Sequence, residues 1–357
     1  MSDARYDSYM GRGPRQIPHW EHWSCPDAET YLTGINAYDH PRQCRLRLQE
    51  LYPELGLPVP ATDDPLPRIE AQTDKGWGRW GGAYRGGWQQ HQASQRFKSI
   101  EDMLAFSPLE QGDFSGWGVV VDGDFSSEEI IYERYRANYP AEWGDSAPEG
   151  SPVSVGFYNS MFQWPMLVFG YENFLSICLE PEFERIMDEF REINRRVFRA
   201  FARLPVNFVI SHDDIVLTSG PVVSPHWMRK FIFPAYEEFW SIVRDAGKEV
   251  IFMVDGCVDA FVDDVMACGA RGIISEPYTD YRAIARRYDD CFIAGEGDNR
   301  VLMRNNPDEI RGMVQTMAET GRMSRGYMMC IGNHIPFNVP GEAVKRYIES
   351  SRELAHR

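Results

Sequence analysis

The sequence predicts an α/β fold: a single (β/α)8 TIM barrel with an N-terminal extension and an insertion rich in Gly and Trp. Three observations carry that expectation. A short apolar run that stops at a polar group, and is followed by a helical pattern, recurs five or six times in the C-terminal half of the chain. Such a series with short loops fits a parallel sheet with helices outside it. The length of 357 residues suits one large barrel with insertions. A doubly wound open sheet ranks second. That fold usually carries a Gly-rich phosphate loop after its first strand, and neither GxGxxG nor GxxxxGK[ST] occurs here.

Taken in order, residues 1–15 are polar and rich in Gly and Pro, and read as a loose arm. Residues 16–21 read as a first short strand that ends at Glu21 and His22. Residues 28–55 read as helix, with Arg42, Arg45 and Arg47 forming a basic patch. Residues 56–68 hold four prolines and read as a loop. Residues 77–90 open with Trp77 and Trp80 among glycines, a composition that suits either a packed hairpin or an aromatic lid. Residues 99–106 and 126–138 read as short helices, and 139–152 as a loop. The expected organisation is one domain, with 1–152 as an N-terminal part with insertions and 153–357 as regular β/α units.

From Val153 the pattern is regular. Residues 153–158 form a strand ending at Asn159, and 166–178 a helix. Pro181 starts a long amphipathic helix, whose buried face is Phe183, Ile186, Met187, Phe190, Ile193, Val197 and Phe201. Residues 207–210 run into His212-Asp213-Asp214. Ser224 is an N-cap with Pro225 at the first helical position, and the helix stops near Gly247. Residues 249–257 are the most apolar strand, buried on both faces and stopped by Asp255-Gly256. A helix over 258–268 is closed by Gly269. Residues 272–275 run into Glu276-Pro277, 291–294 into Glu296-Gly297-Asp298, and 327–331 into Asn333-His334. Helices over 307–320, closed by Gly321, and over 341–354 complete the chain.

The formal charge of −16 and a pI near 5.0 argue against nucleic acid or an anionic membrane as partner, since both demand basic patches. No run of about 18 apolar residues is present, so no transmembrane helix is expected. Seven cysteines without CxxC spacing suit a reducing cytoplasm, and the first residues lack the apolar core of a signal peptide.

In parallel α/β folds the ligand sits at the C-terminal strand ends. Asp213 and Asp214 would face opposite ways in a strand, so one can point into a site while the other caps or pairs. Neighbouring carboxylates raise each other's pKa, which suits an acid or base. Asp255, Glu276 and His334 end three strands. A carboxylate–carboxylate–imidazole set would suit zinc or another divalent metal, or proton transfer without one. The plainer reading is a helix cap for Asp255, a turn for Glu276 and a loop histidine for His334. Glu21, His22, Asn159, Trp77, Trp80 and Glu296 are the candidates for substrate binding. Cys257 is the one thiol beside a candidate site segment that merits testing.

A series of motifs then resembles a known family. These are Leu179-Glu180-Pro181-Glu182, the His212-Asp213-Asp214 … Ser224-Pro225 … Phe233-Pro234 segment, Asp255-Gly256, and Gly332-Asn333-His334-Ile335 with Val339-Pro340-Gly341-Glu342. Together they resemble the uroporphyrinogen decarboxylase superfamily, over roughly residues 160–350. The resemblance implies a (β/α)8 barrel with its site at the C-terminal mouth. It also implies one of two chemistries, porphyrinogen decarboxylation or cobamide-dependent methyl transfer. Arg42, Arg45 and Arg47 do not reproduce the decarboxylases' Arg-rich N-terminal segment. Met253 and Asp255 stand where the zinc methyltransferases have His and Cys, so an oxygen/nitrogen metal site is expected in place of a thiolate one. The leading expectation is a methyltransferase that moves a methyl group from a small methylated donor, such as a methoxylated aromatic, to a corrinoid carried by a partner protein. A decarboxylase or related lyase, and a non-catalytic binding subunit of a corrinoid system, are the alternatives.

Overall fold

The computed structural model describes residues 3–66, 96–117, 122–144, 147, 150–158 and 160–357. Trp77, Trp80 and Asn159, together with the Gly/Trp-rich insertion, lie outside the described residues. The described residues fall into two compact units. One contains 96–254 and 260–271, and the other contains 3–66, 255–259 and 272–357.

The unit centred on residues 96–254 holds three parallel strands in register: β1 (Ser154–Tyr158), β2 (Phe208–His212) and, after a small hairpin, β5 (Glu249–Met253). The hairpin pairs β3 (Val216–Leu217) with β4 (Gly220–Pro221). Val250, Ile251 and Phe252 are fully buried, as expected for a strand covered on both faces. The helix Phe183–Arg203 buries Phe183, Ile186, Met187, Phe190, Ile193, Val197 and Phe201, the face read from its spacing. Phe190, Phe198 and Phe201 are completely buried, so truncating any of them to Ala should cost about 3–5 kcal/mol.

In the other unit, β6 (Gly272–Ile274), β7 (Phe292–Ala294) and β8 (Gly326–Met328) are again parallel and sequential neighbours. The expected first strand is present beside β8. His19 bridges Met329 and Trp23 bridges Ile335, both parallel, with N–H···O bonds from Met329 to Pro18 (2.8 Å), Trp20 to Met329 (3.1 Å) and Ile335 to His22 (2.9 Å). Helices Tyr281–Arg287, Pro307–Met323 and Gly341–Leu354 alternate with these strands. The architecture is thus the predicted α/β, barrel-type succession of parallel strand and helix.

Several helix boundaries differ from expectation, each for a local reason. The helix expected over 28–55 is two, Pro26–Thr33 and Pro41–Leu51, because Gly34 turns left-handed (φ 74°) and Pro41 starts afresh. The helix expected over 166–178 likewise divides at Gly170 (φ 84°) into Gln163–Phe169 and Tyr171–Ile177. The helix opened by Ser224 breaks at Ile232, where Pro234 follows without an N–H to donate. Gly321 does not close its helix, which runs on to Met323. A Cβ there would lie 2.5 Å from Ile17 Cδ1 and 3.0 Å from Tyr327, so the glycine serves close packing. The helix Asn299–Arg304, capped by Asp298, was not foreseen.

Candidate functional site

At the end of β2 the side chains alternate, as a strand requires. Asp213 turns inward and is fully buried. Its carboxylate accepts from the N–H groups of Phe162 and Gln163 (both 2.7 Å), from Ser160 Oγ (3.0 Å) and from the Tyr236 hydroxyl (2.7 Å). Burial pushes the Asp213 carboxyl above its usual range, and these four donors act against that push. Two of them are unpaired N–H groups at the start of the helix Gln163–Phe169, so Asp213 acts as a cap supplied by another element.

His212 and Asp214 share the opposite face. His212 Nε2 lies 3.1 Å from Asp214 Oδ1, and Gln163 Nε2 donates to Asp214 Oδ2 at 2.5 Å. Asp214 is only 2% exposed and His212 7%. The His212 ring stands edge-on to Tyr158, 3.9 Å between centroids. The pair therefore offers one imidazole nitrogen and one carboxylate oxygen at a strand end, between low-dielectric walls.

In the other unit, Asp255, Asn333 and His334 form a chain. Asn333 Nδ2 donates to Asp255 Oδ2 (3.2 Å), and Asn333 Oδ1 faces His334 Nδ1 (2.6 Å). The carboxylate fixes which end of the amide faces it. The amide oxygen then faces Nδ1, which must carry the proton, and the basic lone pair of His334 sits on Nε2. Burial, with His22 adding to it, pulls the pKa of His334 down to about 4, so its ring is neutral near pH 7. The His22 and His334 rings are 5.8 Å apart. Asn333 holds a left-handed backbone (φ 64°), a conformation Asn tolerates well. Gly332 brings this loop against its neighbours, where a Cβ would lie 2.6 Å from both Gly295 O and Pro277 Cδ.

The remaining expected residues are placed differently. Glu276 accepts the Gly256 N–H at 2.8 Å and so ties the two strand-end loops together. The Val258 N–H, the N3 donor that a capping Asp255 would take, goes to Thr279 Oγ1 (3.1 Å). Glu21 is 1% exposed and accepts from the Tyr347 hydroxyl (2.6 Å) and the Ile331 N–H (3.2 Å), with His19 Nε2 at 2.7 Å. Glu296 accepts from Tyr327 (2.6 Å) and Thr320 (2.9 Å), and burial raises its pKa. Both carboxylates are thus held by donors from neighbouring elements. Cys257 is half-buried, and burial raises its thiol pKa. Among the described residues, the donor atoms of Asp255, Glu276 and His334 do not converge within 4.8 Å of one another. The three do not come together as the metal set expected of them.

The family model for uroporphyrinogen decarboxylase (URO-D) matches residues 149–354, more than half of the chain. The chain belongs to the uroporphyrinogen decarboxylase family. Among solved structures it is similar to a methyltransferase from Methanosarcina mazei, with a TM-score of 0.55 and 14% identity over 98% of this chain and 97% of that one. It also shares 12% identity with D-psicose 3-epimerase from Clostridium cellulolyticum H10, at a TM-score of 0.37 over 65% of this chain and 86% of that one. Among functionally curated proteins, nothing matches. The similarity to the methyltransferase spans both chains and fixes the fold.

Within this uroporphyrinogen decarboxylase family member the N-terminal arginines are committed elsewhere. Arg45 forms a forked pair with Glu29 (2.8 Å twice), Arg42 donates to Pro60 O (2.6 Å), and Arg47 pairs with Glu50 (2.7 Å). Sequence reasoning passed over His212 and Gln163. The His-x-Asp spacing of 212 and 214 was the available signal for the first, since it puts both side chains on one face of the strand. Gln163 had no signal, because its contacts with Asp213 and Asp214 span about 50 residues.

Proposed function

We propose that the protein is a methyltransferase, moving a methyl group from a small methoxylated compound to the corrinoid of a partner protein. The observation that carries this reading is the His212–Asp214 pair, a nitrogen and an oxygen donor 3.1 Å apart and buried at a strand end. Ligands bound at about 2.0–2.2 Å to a four-coordinate zinc ion lie roughly 3–3.5 Å apart, so the pair fits two of the ligands of a divalent ion. The ion would serve as a Lewis acid on the ether oxygen. In the reaction the methyl–oxygen bond breaks and the carbon joins the partner's reduced cobalt, which supplies both electrons. The departing oxygen takes a proton and leaves as the alcohol or phenol. His212 and Asp214 would hold the ether oxygen's activator in place. A divalent ion competes with protons for its ligands, so binding should weaken at acid pH.

Asp255, Asn333 and His334 are the second group to which we assign chemistry. His334 is neutral near pH 7 with its basic lone pair on Nε2, and a pKa of about 4 makes it a weak base, suited to accept a hydrogen bond from a substrate. Glu276 supports it by holding the Asp255-Gly256 turn. Soluble membership of the cytoplasm and a small-molecule substrate belong to this same reading, as does a separate corrinoid protein as partner.

Decarboxylation is the second reading, favoured by the family's namesake activity. The commitment of Arg42, Arg45 and Arg47 to Glu29, Glu50 and loop carbonyls weighs against it. The test is direct. The zinc-loaded protein is incubated with 2-methoxyphenol and cob(I)alamin, and separately with uroporphyrinogen III. Methylcobalamin and catechol should appear, and Asp214→Asn should slow their appearance at least about 100-fold. Release of carbon dioxide from uroporphyrinogen III, with no methylcobalamin, would replace the first reading by the second.

A further inference from the structure

The geometry points to Gln163 as a positioning residue for Asp214, one that orients the carboxylate toward a divalent cation shared with His212; this inference rests on the metal reading above. Gln163 is 2% exposed and is the first residue of the helix Gln163–Phe169. It grips both adjacent aspartates. Its backbone N–H donates to Asp213 Oδ1 at 2.7 Å, and its side-chain Nε2 donates to Asp214 Oδ2 at 2.5 Å. Asp213 is in turn locked by Ser160, Phe162 and Tyr236, so the helix start that carries Gln163 is itself immobilised. The amide therefore reaches Asp214 from a fixed point.

The consequence is a division of labour between the two oxygens of Asp214. Oδ2 belongs to Gln163, and Oδ1 lies beside His212 Nε2 at 3.1 Å. A carboxylate with one oxygen tied down can present the other to a cation without losing rotamer freedom on binding. Outer groups that hydrogen-bond a ligating carboxylate typically control affinity by about 10–100-fold. The amide oxygen of Gln163 is buried with no hydrogen-bond partner among the described residues. A residue kept only to fill space would be better served by an apolar side chain, because an unsatisfied buried acceptor is costly. The donor to Asp214 is what the glutamine provides.

The experiment measures Co2+ affinity by visible absorbance, on wild type, Gln163→Met, Gln163→Asn and Asp214→Asn, with near-UV circular dichroism to confirm folding. Methionine fills nearly the same volume with no donor, while asparagine keeps the amide but withdraws it from reach. The backbone N–H to Asp213 survives in both. Expected is a loss of about 10–100-fold in affinity for both Gln163 variants, with near-native dichroism, and a larger loss for Asp214→Asn. Wild-type affinity in Gln163→Met alongside a defective Asp214→Asn would overturn the role of Gln163 and leave the metal reading standing. Wild-type affinity in Asp214→Asn, or no Co2+ binding by the wild type, would overturn both.

Discussion

Asp213 and Asp214 are adjacent, yet one is walled in by four donors and the other faces His212. Chain position explains the opposite directions, since a strand alternates, but not which aspartate turned inward. That depended on residues 160–163 and Tyr236 arriving from elsewhere. Asp213→Ala should lower stability by about 3 kcal/mol or more, because it strands several buried donors at once. Asp214→Ala should reduce metal binding and turnover far more than stability. Equal melting curves for wild type and Asp213→Ala would show that the cap is not needed. Asp255 is the residue whose place was most legible, just past the end of the most apolar strand. Asp255→Asn keeps its shape, so turnover should fall at least about 100-fold while stability changes by no more than about 2 kcal/mol. Normal turnover would remove it from the chemistry. His334 gives a pH signature. Its pKa is about 4 in the folded protein against an ordinary 6.5, so between those values the unfolded chain binds the extra proton. Its contribution to stability is complete above pH 6.5 and is lost as the pH falls toward 4. His334→Gln should therefore flatten the fall of Tm over that window, and an unchanged slope would mean that the ring is more solvated than its surroundings suggest.

Elements were legible wherever periodicity was long. The helix Phe183–Arg203 shows its buried face in the sequence at every turn, and the strand around Ile251 shows its burial on both faces. Breaks were less legible, because Gly34 and Gly170 read the same as any helical glycine until their positive φ (74° and 84°) is seen. Two glycines make this point testable. Gly312 lies inside the helix Pro307–Met323, and a Cβ there would meet nothing within 4 Å. Gly312→Ala should stabilise the protein by about 0.5–1 kcal/mol by restricting the unfolded chain. Gly332 is the opposite case, since a Cβ would press on Gly295 O, a backbone atom, at 2.6 Å. Gly332→Ala should cost about 1–3 kcal/mol and displace Asn333 and His334 with it. If both variants shifted the melting temperature in the same direction, the packing described around residue 332 would be wrong.

At the scale of the whole molecule, the succession of parallel strands and helices followed from composition and pattern, because each strand carries its own apolar run and its own polar stop. The identity of any metal set did not follow, because ligands are chosen by packing between elements. Asp255, Glu276 and His334 looked alike in the sequence, yet two of the three loops they end are bound to each other through Glu276 and Gly256. A donor pair that binds a cation in the folded state, and is scattered when unfolded, must stabilise the fold by mass action. At a zinc concentration about 100 times the dissociation constant that linkage is worth about 2.7 kcal/mol. For a chain of 357 residues this corresponds to a rise in Tm of roughly 3–5 °C. The rise should vanish with a chelator and be absent in His212→Ala. Adventitious zinc on surface carboxylates would act on the variant as well. A shift of the same size in His212→Ala would therefore place the cation elsewhere and detach the metal from the pair at the end of β2.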